Sequence, residues 1–192
     1  MRCLLNYLTK NSLMPTYQSG YRQFHSTETV LSHVLSSLFA AADVFIAPRY
    51  MSAAFDCVDH DILLTRLHCS YGVSGAAHDW FRSYLTNRTR QVAFNSSVSD
   101  VALVSSRVPQ GSVMGPILFL LYTYDIIKII TLYGFVCHAF ADDIQILITN
   151  PPGLFKDEVN RYNECMMEIG HWMLGNSLKV NKCKTQLLPV GT

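Results

Sequence analysis

Two adjacent carboxylates, Asp142 and Asp143, lie inside the stretch His138-Ala139-Phe140-Ala141-Asp142-Asp143-Ile144-Gln145-Ile146-Leu147. Apolar residues run up to the pair and away from it, the pattern of a β-hairpin with the acids at its tip. Two acids held on rigid strands suit a hard divalent cation such as Mg²⁺, which takes oxygen ligands and shares its remaining sites with phosphates. With ten Asp in the chain, an adjacent pair arises by chance about half the time on composition alone. The pair is a weak signal until its neighbours are read.

The elements that must position it follow from periodicity. Ser26 can cap a helix with Glu28 in its first turn, and Val30, Leu31, Val34, Leu35, Leu38 and Phe39 recur at helical spacing. The preceding loop, Pro15–His25, carries Arg22 and His25, which are either phosphate contacts or ordinary solvated loop residues. A helix is predicted around Asp59–Ser70, with Gly72 as its stop. His60 and His68 lie eight apart on it, not the four a helical metal pair needs. Ser74 opens another helix, with Trp80, Phe81, Tyr84 and Leu85 on one face.

Two strands are predicted next, Arg90–Phe94 and Val101–Ser105. Arg82, Arg88 and Arg90 among aromatics could track a nucleic-acid backbone or form a plain solvated face. Gly111 and Gly115 let a backbone approach something closely, and Ser112 and Pro116 start a buried helix. After the acid pair, Phe155, Val159, Tyr162, Met166, Ile169 and Trp172 step by three and four into a long amphipathic helix, stopped at Gly175-Asn176. A turn and strand around Leu178–Leu188 close the chain.

With 192 residues, 49% of them hydrophobic and 15% charged, the chain can bury a sizeable core and is not disordered. Its net charge of +1 supplies no long-range field to draw in a polyanion. Six scattered cysteines without a C-x-x-C pair suggest neither a zinc site nor a disulfide framework, and fit buried thiols in a reducing compartment. Asp43, Asp125 and Lys128 interrupt the longest apolar runs, and the N-terminus lacks a signal pattern. The expectation is an intracellular protein, nuclear or cytoplasmic, with no membrane partner.

Taken together the segments resemble the reverse transcriptase domain of non-LTR, LINE-type, jockey-like retrotransposons. Gln18-Ser19-Gly20-Tyr21-Arg22 with His25-Ser26-Thr27-Glu28-Thr29 is similar to that family's QSGYR-x-x-HSTET stretch. Ser52–Asp56 followed by Val58–Leu63 is similar to SAAFD-x-VDHDIL, and Trp80–Arg88 to WF-x-SYL-x-NR. Pro109–Phe119 is similar to PQGSVLGPLLF, Phe140–Asp143 to the YADD box, and Trp172–Thr185 to WM…LK-x-N-x-x-KT. Order and spacing agree across nearly the whole chain.

The resemblance implies an α+β fold: a right-hand polymerase palm, an antiparallel sheet with packed helices, plus part of the fingers. About 1–45 would be partial fingers and about 46–192 mostly palm, with further fingers strands before Met1 and the thumb, absent here, after Thr192. It implies RNA-directed DNA synthesis on an RNA template from a DNA primer and deoxynucleoside triphosphates, by two Mg²⁺ ions held by three carboxylates. Asp142 and Asp143 would be metal ligands. Phe55 would exclude a ribose 2′-hydroxyl. Gln110 and Gly111 would line the templating pair, and Lys184 would approach the pyrophosphate.

One departure matters most. Where the resemblance puts the first Asp of D-L-S-A-A-F-D, the third metal ligand, this chain has Tyr50. A phenol of reference pKa near about 10 is a poor replacement for a carboxylate. Asp56 is six residues on, about 20 Å away along an extended strand of ~3.3 Å per residue, and Asp43 is no nearer. Pro48, which cannot donate a ladder hydrogen bond, spoils Ile46–Tyr50 as a buried strand. Phe140 for Tyr and Tyr124 for Asn are smaller departures. The expectation is a catalytically impaired copy; the alternatives are a non-catalytic RNA or primer–template-binding module, or a decayed relic.

Overall fold

Helix-favouring runs and caps account for most of the chain's elements. The computed structural model describes residues 1–14, 16–39, 44–49, 51–52, 54–95, 97–104, 106–109, 111–149, 155–180 and 188–190. Tyr50, Gln110, Lys184 and Asp43 lie outside that set, and so do the readings placed on them. The described residues divide into two compact units: Met1–Ala54 with Thr123–Thr192, and Phe55–Tyr122.

The first unit is built on a four-stranded antiparallel sheet. Its strands are β1 (Val44–Arg49), β7 (Val136–Phe140), β8 (Asp143–Thr149) and β10 (Leu188–Val190), in the order β10-β1-β8-β7. Cys137, Ala139, Ile144 and Ile146 are buried, and the register pairs Ala139 with Ile144 and Cys137 with Ile146 on one face. The other face takes α2 (Thr27–Phe39), whose Val30 and Val34 pack with Leu147 against Phe140. Ser26 Oγ accepts from the Thr29 amide, the cap its position foretold. Of the apolar run on α2, Leu31 and Leu35 stay exposed. Helix α1 (Arg2–Lys10) precedes it, and a two-stranded ladder joins β2 (Met51–Ser52) to β9 (Lys179–Val180).

Helix α6 (Phe155–Gly175) packs on β8. Its buried stripe is Glu158, Cys165, Ile169 and Met173, while Val159, Tyr162, Met166 and Trp172 flank it half-buried. The stripe is therefore rotated slightly from the predicted one. Glu158 tolerates the burial because Arg161, one turn on, pairs with its carboxylate at 2.5 Å.

Pro48 corrects a sequence expectation. It lies within β1, opposite Gln145 of β8, and the ladder continues to Arg49. On the other side, the described β10 residues pair with Val44–Ile46. A proline lacks only the N–H and keeps its carbonyl as an acceptor, so a ladder can run through it where that N–H is not called on.

The second unit packs α3 (His60–Cys69) and α4 (Gly75–Leu85) with two short ladders. These pair β3 (Arg88–Arg90) with β6 (Ala102–Val104), and β4 (Ala93–Phe94) with β5 (Ser97–Val98). Asp59 caps α3, its carboxylate accepting from the Asp61 and Ile62 amides at 3.0 Å. Helix α5 (Gly115–Leu132) begins in this unit and ends in the other. It is long and apolar enough to cross a bilayer, but 67% of it is buried within the protein, as in the core helix of a globular domain.

Candidate active site

The acid pair is delivered by a two-residue hairpin turn. Phe140 pairs with Asp143 at the end of the β7–β8 ladder, leaving Ala141 and Asp142 as the turn. Asp142 is half-buried and Asp143 exposed, so both carboxylates reach solvent at the sheet's end. Of the two turn residues only Ala141 has a positive φ, +57°. Glycine is the usual occupant of such a position, since a Cβ there costs about 1–2 kcal/mol.

A loop from far upstream holds that turn. Tyr17–Gly20 runs beside β7 as a parallel bridge: the Ala139 amide donates to the Tyr17 carbonyl at 2.8 Å, and the Ser19 amide to the Ala139 carbonyl at 2.8 Å. Gln18 is 3% exposed. Its Oε1 accepts from the Ala141 amide (2.9 Å) and the Gly20 amide (2.8 Å), and its Nε2 donates to the Ala141 carbonyl (3.0 Å). Gly20 fits only for want of a side chain, since a Cβ would lie 2.3 Å from the Ala141 nitrogen. Tyr21 follows at φ +57°; partial burial, then the negative charge of Asp142, raises its hydroxyl above the usual phenol range. It stays protonated at neutral pH and offers Asp142 no anionic companion.

The same hairpin carries His138. Its ring stacks on His33 of α2 at 5.8 Å and meets Tyr17 edge-on. Together with Asp143, Gln145, Thr27 and Phe140 it lines a cavity of about 320 Å³.

In the second unit, two motifs distant in sequence are sewn together. The Arg107 amide donates to the Val58 carbonyl (2.8 Å), and the Val108 amide to the Phe55 carbonyl (3.0 Å). Arg107 pairs with Asp56 at 2.8 Å, and buried His60 donates through Nε2 to the Arg107 carbonyl at 2.9 Å. This brings Phe55, stacked on Phe119 at 4.7 Å, to the segment that leads into Gly111. Gly111 has φ +75°, and Ser112 Oγ accepts from the Gly115 amide at 3.0 Å to open α5. A Cβ at Gly115 would press on Ser112 Oγ at 2.9 Å and on the Pro109 carbonyl at 3.0 Å.

The structure thus places Asp142 with Asp143 in one unit, and Phe55 near the Gly111 loop in the other. Sequence reasoning missed Gln18 and Gly20 as supports of the acid pair. They stand in the stretch it quoted, but a partner 123 residues away leaves no local signal.

The donor set only half fits a cation pair. The turn supplies two carboxylates, and among the described residues no group of three or more His, Cys, Asp or Glu side chains could hold a metal. The position expected to add a third carboxylate is a tyrosine. These residues do not fit the full two-ion complement.

An antiparallel sheet with helices packed on it, and an acidic hairpin turn at its end, define a palm-type polymerase core. The reverse transcriptase (RNA-dependent DNA polymerase) family matches residues 2–190, and the chain belongs to it, in its non-LTR, LINE-like branch. It is 28% identical over 194 residues to the probable RNA-directed DNA polymerase from transposon BS of Drosophila melanogaster, covering 95% of this chain and 21% of that protein. Its identity to the X-element counterpart of the same species is 31% over 152 residues, covering 74% and 16%. A third relative, the RNA-directed DNA polymerase from mobile element jockey of Drosophila funebris, is 27% identical, covering 70% and 15%. The chain spans about a fifth or less of the length of these curated relatives.

Among solved structures, apo telomerase from Candida tropicalis, truncated from its C-terminal domain, superposes with a TM-score of 0.74 at 14% identity, covering all of this chain and 39% of that one. Telomerase from Candida albicans in complex with a telomeric RNA fragment gives 0.69 at 13%, covering 96% and 33%. At such identities the likeness is one of fold.

Proposed function

We propose that this chain is the nucleotidyl-transfer part of a non-LTR reverse transcriptase, impaired in catalysis by Tyr50. Asp142 and Asp143 are the hairpin ligands for Mg²⁺. Phe55, Gln110 and Gly111 attend the incoming deoxynucleoside triphosphate and its templating base, and Lys184 attends the pyrophosphate. RNA template and DNA primer are the macromolecular partners. The observation that carries this reading is the acid pair on a braced two-residue turn at the end of a palm-like sheet.

When bound, Mg²⁺ would polarise phosphate oxygens at the turn. With a phenol replacing one carboxylate, the site lacks a negative charge that two divalent ions need. Loss of even an outer-shell partner costs metal sites about 10–100-fold, and a lost direct ligand costs more. Purified chain with Mg²⁺, primed RNA template and nucleotides is therefore expected to give no extension. Template-dependent products that disappear in Asp142→Asn would overturn the impairment.

A second reading, a module that binds RNA without copying it, is favoured by one surface of the second unit. Arg88, Arg90 and Arg107 surround a cavity of about 260 Å³, and Arg88 lies over Tyr84, which stacks on exposed Trp80 at 5.4 Å. Cations beside stacked aromatics suit a single-stranded backbone and its bases. Filter binding at two salt concentrations tests it: affinity should fall as salt rises and weaken in Arg90→Ala. Salt-independent or absent binding would reject it.

A further inference from the structure

The Gln18 amide makes three hydrogen bonds to the backbone of two residues, Gly20 and Ala141, and its chemistry permits one arrangement. Two backbone N–H groups, of Gly20 and Ala141, converge on Oε1 and fill both its lone pairs, while the Ala141 carbonyl needs the donor Nε2. A carboxylate could accept but not donate. A shorter amide would not span both groups, and an apolar residue would leave all three buried and unmet. The restrained residue is the one in the left-handed region, immediately before Asp142. A two-residue hairpin calls for that conformation at its first turn residue, but an alanine adopts it at a cost that glycine would not incur. Gly20 adds a steric wall, because its Cα side presses against the Ala141 peptide with no room for a methyl.

We propose that Gln18 is a positioning residue for the acidic turn: by holding both backbone groups of Ala141 it fixes where the Asp142 and Asp143 carboxylates project. The proposal rests on the reading of those two acids as the hairpin ligands. The loop Tyr17–Tyr21 is then a part of the site contributed from the other end of the chain, and Gly20 is required for its close approach.

Backbone hydrogen exchange in the full chain tests this, with Gln18→Met, which keeps length without hydrogen bonds, and Gln18→Glu. In Gln18→Met the protection of the Ala141 amide should fall at least tenfold, while amides inside the β7–β8 ladder keep theirs. In Gln18→Glu a smaller loss at neutral pH should reverse, relative to wild type at each pH, as the pH falls through the glutamate range near about 4.3. The protonated acid can again donate to the Ala141 carbonyl; a space-filling role would show no such rescue. Ala141 protection within twofold of wild type in Gln18→Met overturns the proposal, and so does a loss spread evenly over both units. If Gln18→Met does not fold, Gln18→Glu decides: a turn equally unprotected at low and neutral pH sinks the idea.

Mn²⁺ used as a paramagnetic probe separates the proposal from the reading beneath it. Line broadening at the Asp142 and Asp143 amides, abolished by Asp142→Asn, supports the acid pair as ligands, and the Mn²⁺ needed should then rise about tenfold in Gln18→Met. Absence of broadening in wild type removes the ligand reading alone, and the Ala141 exchange result still judges the brace.

Discussion

At the residue scale, an acidic turn is held in an unfavourable shape by a distant side chain. Ala141 accepts a left-handed backbone that costs about 1–2 kcal/mol, and each hydrogen bond to the buried Gln18 amide returns about 0.5–1.5 kcal/mol. The two effects are of similar size, so the turn depends on the bonds being complete. Gly20 is the sharper test of the contact. A methyl group there must displace the Ala141 peptide, and overpacking of this kind costs about 1–3 kcal/mol. Gly20→Ala should lower the urea midpoint accordingly, with amide shift changes concentrated at residues 139–143. An unchanged midpoint and unchanged shifts would mean the loop does not touch the turn. The impairment proposed for Tyr50 would be of another kind, one of chemistry: a phenol cannot supply a carboxylate's charge to a cation.

At the element scale, the packing of α2 on the β7–β8 hairpin makes stability depend on pH. His138 faces His33 in a stacked pair, the Tyr17 ring edge-on, the Ser37 hydroxyl at 3.4 Å and Gln145 across the ladder, with Asp143 lining the same cavity. Burial first, and then the proximity of His33, lower the His138 pKa below 6.5. The unfolded chain therefore binds more protons between the lowered value and 6.5, and stability rises with pH across that window. The contribution is present above pH 6.5 and is lost on acidification below it. Urea midpoints of wild type should fall on acidification below that pH more steeply than those of His138→Asn; parallel profiles would refute the assignment. Much of this scale was legible in sequence. Ser26 announced α2, the stop at Gly72 helped to bound α3, the apolar runs around the acid pair announced a hairpin, and the three-and-four stepping announced α6. Pro48 was misread because a strand proline's tolerance depends on ladder register, and the pairing of Pro48 opposite Gln145 is one that no local pattern encodes. The rotation of the α6 stripe toward Cys165 and Met173 depended likewise on which face meets β8.

At the scale of the whole molecule, the compact units do not follow chain order: residues from both ends form one, and the middle forms the other. Composition predicted a sizeable core but was silent on this division. Motif order identified the family, while the supports of its acid pair became visible only in three dimensions. The Gln18–Ala141 contacts join residues 123 positions apart. Closing so long a loop is slow relative to forming a local hairpin, which takes about 1–10 μs. The β7–β8 hairpin can therefore form early, while its turn takes its final shape only when the beginning of the chain docks. A chain beginning at residue 23 should still show the β7–β8 ladder by NMR but lose protection at Ala141; a protected Ala141 in that shortened protein would show that the turn needs no help. On a ribosome the same ordering is reversed in time. The loop carrying Gln18 emerges first and waits, unpaired, through more than a hundred residues of synthesis before its partner exists. The turn that carries the acid pair is thus set only once two segments of the first unit, far apart in sequence, have met.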